Sequence, residues 1–340
     1  MIRSLIYWTF TCLLCLSCVS DRFKVSENQY HSDQMINAND VYINASDAYI
    51  NASDVYINTN DVYINQDLSN PNKMNDMMTG FDMNPFIDMQ VRIEMPMIDW
   101  IFIESGSFMM GPTKGTTANE YPEEFPLRLV TIQDSFWIGK TEVTVAQYKA
   151  CVQAGVCTLP QSLQGCNWDQ VDIDQHPINC VNWLQARTFA HWIGGELPSE
   201  AEWEYAGRSK GLDVIFPWGD DDPNCDRLNY DQPCFQSTTP VCALPQGNTQ
   251  LGLCDMAGNV SEFMLDHYHP SYEQAPTTQA PWCDTLNCEI IEDRFVSIRG
   301  GSWGNPFYHG VRVTHRNRSM AIQPEYPNNG GFRVVKKIEF

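Results

Sequence analysis

The sequence predicts an α+β domain with little regular secondary structure, set behind an export leader and pinned by disulfides. Three observations predict it. Short extended segments are followed by three well-capped helices. Ten cysteines crowd into the last 190 residues. Between the last helix and the C terminus the chain is rich in Pro, Gly, Asp and Asn. Loops that long need cross-links or a bound ion to stay ordered.

The elements follow in chain order. "WIFIESGSFMMG" reads as a strand, a turn and a second strand, and "VTIQDSFWIGKTEVT" continues in short extended segments. In "TVAQYKACVQAG", Thr144 caps a helix, Gln147 returns the bond and Gly155 stops it. Asn182, Gln185 and Gly194 do the same for "NWLQARTFAHWIGG", and Ser199 with Glu202 for "SEAEWEYAGR". The acids Glu200, Glu202 and Glu204 tempt a paired-carboxylate reading. Their place in a first turn makes the helix dipole the simpler one.

The first eighteen residues are "MIRSLIYWTFTCLLCLSC". A basic start and an apolar core too short to span a bilayer mark a secretory signal. Ser17 before Cys18 is similar to a bacterial lipoprotein cleavage site, although Cys15 stands where a lipobox has Leu. The expectation is an exported protein of the cell envelope, lipid-anchored through Cys18. In an oxidising compartment cysteines pair. Setting aside Cys12, Cys15 and Cys18 leaves an even ten of thirteen, which implies five disulfides of unstated connectivity. Zinc is the rival, but no Cys-x2-Cys pair is present among these ten.

Residues 39–66 repeat with period seven: "NDVYINA", "SDAYINA", "SDVYINT", "NDVYINQ". Asn and Asp at these positions argue against a coiled coil. Residues 19–99 hold thirteen acids against four bases. Residues 19–97 therefore read as a disordered acidic tether. The β character of "VYIN" leaves self-association open as the sharper alternative. Residues 98–340 are the folded domain. The formal net charge of −21 discounts nucleic acid as a partner.

Two stretches carry chemistry. In "CDMAGNVSEF", Asp255 and Glu262 offer hard oxygens around Gly258, the type of donor calcium takes, without EF-hand spacing. In "RGGSWGNPFYHGVRVTHRNRS", Ser302, Trp303, Asn305, Phe307, Tyr308, His309, Arg312, His315, Arg316 and Arg318 form a candidate binding cleft. The plain alternative is a strand through "VRVTHR", with Val311 and Val313 inward and the polar residues outward.

"GELPSEAEWEYAGR", "FPWGD", "GLCDMAGNVSEF", "RGGSW" and "GFRVV" occur in one order. Together they strongly resemble the sulfatase-modifying-factor domain, the family of formylglycine-generating enzymes, over about residues 98–340. The resemblance implies the formylglycine-generating-enzyme fold: α+β, C-type-lectin-like, low in regular structure, disulfide- and calcium-stabilised. It implies a calcium site of Asp255, Gly258, Val260 and Glu262, with Ser261 where the family has Trp. It implies a second site at Asn229 and the Tyr230 carbonyl, whose downstream Asp falls on Pro233, near Asp231.

The family's aerobic enzymes carry two copper(I)-binding cysteines three and eight positions after the Ser of "GGS". Here those positions are Asn305 and Gly310, so no copper is expected. The family's iron-dependent sulfoxide synthases need a histidine set on another domain, and residues 19–97 hold only His31. The resulting expectation is a membrane-tethered, non-catalytic domain that binds a peptide, glycan or protein through the cleft around Trp303. The alternative is a divergent oxidoreductase of the formylglycine-generating type, acting on protein cysteine or another substrate.

Overall fold

The computed structural model describes residues 95–338, apart from 231–233, 291–293 and 305–307, together with Tyr42–Ile43 and Val62–Tyr63. Of Tyr308 and His309 only the backbone is described. The leader, most of the tether, Asn305 and Phe307 lie outside the described residues, as do Asp231 and Pro233.

The chain divides into two units, residues 1–92 and 93–340. In the first, β1 (Tyr42–Ile43) and β2 (Val62–Tyr63) pair antiparallel, Tyr42 opposite Tyr63. They come from the first and last of the four repeats.

Among the described residues, the second unit contains three small sheets. β3 (Trp100–Ile103), β6 (Phe136–Gly139) and β11 (Val335–Lys337) form an antiparallel sheet with β6 in the middle. β4 (Gly106–Met110) and β5 (Arg128–Ile132) form a ladder in which Phe108 faces Val130. The third sheet runs β10-β7-β8-β9, made from Gly330–Gly331, Ser261–His267, Phe295–Arg299 and Asn317–Met320. Strand β10 lies parallel to β7, and the β7–β8 register shifts between Phe263 and His267.

All three expected helices form: α1 (Val145–Gln153), α2 (Trp183–Trp192) and α3 (Glu200–Gly207). Each opens on a complete capping box, with Thr144, Asn182 and Ser199 accepting from the backbone three residues on. Gly155 and Gly194 follow α1 and α2 at φ +70° and +73°, a conformation that costs glycine little.

Helix α2 buries Trp183, Ala186, Phe189 and Ala190, which share one face at helical spacing. That face meets Tyr148 of α1, with Phe263 and Phe332, in one core cluster. Fully burying each such large side chain contributes about 1.5–3 kcal/mol. A second cluster gathers Phe108, Phe136, Ile138, Trp203 and Met264 around α3. Helix α3 differs from the other two in that every residue is buried, its three glutamates included.

The ten cysteines of the domain form five disulfides: Cys151–Cys157, Cys166–Cys180, Cys225–Cys234, Cys242–Cys254 and Cys283–Cys288. Each partner is at most 14 residues away in sequence. The cross-links therefore staple individual loops rather than joining distant parts. Cys151 lies in α1, and the other nine lie outside the α-helices and strands.

Candidate functional site: a groove above a buried ion-pair ladder

A charged side chain removed from water must be paired. On α3, Glu200 and Glu204 lie one turn apart and both point into the protein. Arg316 binds Glu200 bidentately, Nε to Oε2 at 2.7 Å and Nη2 to Oε1 at 2.9 Å. Arg299, at the end of β8, donates to Glu204 Oε2 at 2.5 Å. Arg208 and the Gly111 amide satisfy Oε1 at 3.0 and 2.9 Å. A parallel pair lies nearby: Arg312 holds both oxygens of Glu124, which also accepts from the Thr314 hydroxyl at 2.9 Å. The guanidinium groups are further sandwiched by rings, Arg316 at 4.1 Å from Tyr272 and Arg312 at 4.0 Å from Tyr121.

These contacts correct two expectations. Arg312 and Arg316 are 5% and 3% exposed; Arg316 lines only a small cavity shared with Arg128, Glu200 and Tyr272, and neither lines the large groove. Nor does "VRVTHR" form a strand with polar residues outward. Residues 308–311 make a short 3-10 turn, and Val311, Arg312, Val313, Thr314 and Arg316 are all buried. The next strand begins only at Asn317.

Electrostatics along α3 are uneven. Burial raises the Glu200 carboxyl, but the charges of Arg316 and Arg299 together outweigh it and hold the group below the usual range. Asp266 accepts the Glu200 amide at 2.9 Å, and burial beside the Glu200 charge pushes it up. Glu202 completes the Ser199 cap, and burial raises it to about 7.

Above this ladder lies a groove of about 450 Å³. Its floor includes a cross-strand row of the third sheet, Phe263 opposite Ile298 opposite Asn317. One wall is the turn after β8, where Gly300 and Gly301 take φ +86° and +68° and bend the chain away from the strand. The other wall carries Pro324, Glu325 and Tyr326.

Of the expected cleft residues, Ser302, His315 and Arg318 line this groove. Gly310, at a position where the resemblance implies a cysteine, lines it too. Trp303 does not. Its indole donates to the Asn328 carbonyl at 3.2 Å and its amide to the Asn259 carbonyl at 2.9 Å, so it ties the two walls together. Sequence reading missed Ser261, Phe263, Phe295 and Ile298 as lining residues. They sit on strands far from the motif, and only the sheet register brings them there. With all ten domain cysteines in disulfides, none of them presents a free thiol to the groove.

The two calcium positions implied by resemblance differ in fit. Both Glu262 oxygens are committed, Oε2 to Trp203 Nε1 at 2.7 Å and Arg333 Nε at 2.6 Å, Oε1 to Arg333 Nη2 at 2.7 Å. Arg333 already supplies the positive charge, so in this arrangement the Glu262 side chain does not fit as a cation ligand. Asp255 accepts the Cys242 amide at 2.7 Å, and burial raises it to about 6. Val260 is fully buried. Gly258 sits at φ +82°, and a Cβ there would lie 2.3 Å from the Asn229 carbonyl oxygen. This close approach packs Asn229 directly on the turn. Asn229 fits better: its Nδ2 donates to the Ser237 carbonyl, while its buried Oδ1 has no partner among the described residues. The Tyr230 carbonyl follows it in the chain. Glu123, Glu124 and His315 also bring ligand atoms within 4.8 Å of one another, but Glu124 is spent on Arg312 and Thr314.

Two outcomes follow from the ladder. Breaking one partner of a buried pair costs about 3–5 kcal/mol. Arg316→Ala and Glu200→Gln should each lower urea-unfolding stability by about that much, and the double variant by less than their sum. Additive losses would show that the pair is not coupled. Glu202 sets a pH dependence. Its folded pKa of about 7 exceeds the ordinary 4.5. Its contribution is therefore present below pH 4.5 and lost as pH rises through about 7. Thermal melts should show stability falling across that window, and Glu202→Gln should flatten the fall.

The sequence matches the family profile described as "Sulfatase-modifying factor enzyme 1-like domain" over residues 88–338. It is 33% identical over 292 residues to the formylglycine-generating enzyme of Streptomyces coelicolor, covering 70% of this chain and 88% of that one. It is 30% identical over 260 residues to the serine/threonine-protein kinase Pkn1 of Chlamydia trachomatis serovar L2. That match covers 71% of this chain, which spans 38% of the kinase's length. Among solved structures, PvdO from Pseudomonas aeruginosa superposes with a TM-score of 0.59 at 26% identity, covering 70% of this chain and 94% of that one. The α+β fold expected from the sequence is that of these relatives, and the chain belongs to the sulfatase-modifying factor enzyme 1-like domain family.

Proposed function

We propose that this chain is an exported, membrane-tethered recognition protein whose domain binds a peptide, glycan or protein partner in the groove and does not oxidise it. One observation carries the reading. The positions three and eight after Ser302 are Asn305 and Gly310, so neither has the sulfur that soft copper(I) ligation requires. Gly310 lies in the groove wall, where its lack of a side chain adds room. The disulfide-rich composition and the lipoprotein-like leader support export. Structural calcium belongs to the same reading, held at Asn229 Oδ1 with the Tyr230 carbonyl, because a buried orphan oxygen is stabilised by a cation.

Incubating the purified protein with copper(I) and a cysteinyl peptide should give no aldehyde by mass spectrometry and no stoichiometric copper uptake. Formation of the aldehyde would sink the reading. Millimolar calcium should raise the melting temperature of the native protein and leave Asn229→Ala unmoved. At a hundredfold excess over Kd the gain is about 2.7 kcal/mol. An equal shift in both proteins would remove calcium from Asn229.

A further inference from the structure

We infer that the groove takes an extended acidic peptide, whose carboxylate is read by Arg318 at the free edge of β9. This rests on the recognition reading above and names its ligand class.

Arginine usage in the domain singles out the residue. Arg187, Arg208, Arg227, Arg294, Arg299, Arg312, Arg316 and Arg333 each lie within 4 Å of a carboxylate. Arg128 has none, but its guanidinium is spent on the carbonyls of Ala275 and Pro276. Arg318 differs from all of these. It is exposed and lines the groove. Among the described residues its side chain meets neither carboxylate nor carbonyl. It rests instead on rings, 4.1 Å from the centroid of Phe295 and 5.6 Å from that of Tyr268. Contact with the rings restrains the guanidinium without using its N–H donors. A fork restrained in this way with its donors unspent matches a carboxylate. Its stacking on two rings also reduces the ordering cost of binding. In a chain of net charge −21, a guanidinium with no acid of its own is the exception.

Strand position supplies the second half. β9 ends its sheet, paired with β8 on one side only. Asn317 and Arg318 are consecutive and so point to opposite faces of the strand, yet both line the groove. The groove therefore wraps the strand edge, where among the described residues the Arg318 N–H is held only by the neighbouring Asn317 Oδ1 at 2.8 Å and the Met320 carbonyl only by Ser319 Oγ at 3.3 Å, local bonds that an incoming strand would replace. An extended peptide laid there would add a strand by main-chain hydrogen bonds and set alternate side chains on either face. One such side chain, Glu or Asp, meets Arg318. Among the described residues of the opposite wall, Ser302, Gly304 and Gly310 are small and permit close backbone approach. Glu325, on the wall that carries Pro324 and Tyr326 and not paired with Arg318, disfavours an acid on its own side of the groove.

The test uses the full-length protein on an array of peptides in matched pairs, identical except for Glu or Asp against Gln or Asn. Acidic members should be selected. Arg318→Gln should weaken them about 10- to 100-fold, the loss of a charge-assisted pair. Arg318→Lys should rescue only part of this, because the planar fork is gone. Ser261→Trp, which fills the groove from β7, should abolish binding, and Ser319→Trp serves if that variant does not fold. Peptides that bind regardless of the acid, are blocked by the Trp variants and ignore Arg318→Gln would overturn this inference and leave the recognition reading standing. No selected peptide, or binding indifferent to the Trp variants, would overturn both.

Discussion

The rest of the domain depends on the pairing of two buried glutamates on α3 with arginines delivered from 95 or more residues away. An eight-residue helix enclosed on all sides would not ordinarily carry Glu200 and Glu204 into the core. It does so because Arg299 ends β8 and Arg316 precedes β9. The two strands flanking the groove are thereby referenced to the same helix. Replacing such a ladder wholesale with apolar residues need not lower stability, since buried ion pairs often only break even against hydrophobic packing. What the ladder adds is placement. A guanidinium fork bound at two points tolerates little sliding, so the chain from Arg299 to Arg316 has one register available to it.

Placement has a chemical consequence. With so little regular structure, the groove needs its walls anchored from below and behind. The ladder anchors the floor, and Trp303 links the wall after β8 to the one before β10. Disulfides handle the remaining loops one at a time, each closing a short segment. The framework can therefore persist while the residues facing the groove change. Gly310 and Ser261, which face the groove, carry no sulfur or ring, and neither is a member of the ladder.

The sequence made the local features legible and hid the long-range ones. Capping boxes at Thr144, Asn182 and Ser199 are short-range hydrogen bonds, and all three form as read. The even cysteine number implied five disulfides, although which thiols pair depends on loop paths that spacing does not fix. The roles of Arg312 and Arg316 were not legible. Their partners Glu124 and Glu200 lie 188 and 116 residues earlier. A basic, aromatic stretch looks the same whether its arginines face solvent, a ligand or a buried acid. The first-turn glutamates of α3 misled in the complementary way. A helix dipole was enough to explain them, so nothing demanded a distant cation. The Glu262 turn shows the same limit: the motif marks the bend, but Arg333, which occupies the carboxylate, sits in a different motif.

Arg316 and Arg318 show how position outweighs identity. They are two residues apart, of the same type, and both lie beside Tyr268, at 5.4 and 5.6 Å from its centroid. Arg316 falls before the strand, where Glu200 reaches it, and desolvation there is offset by two carboxylate oxygens and two backbone carbonyls. Arg318 falls on the edge strand, where no acid of the described domain reaches it. The first is a strut because four of its five donors are spent inside the fold. The second retains its donors beside a cavity, and a guanidinium in that state gains most from an oxyanion that arrives from outside. Whether an arginine of this domain serves as a strut or keeps open donors thus follows from which cation the internal acids leave unneutralised.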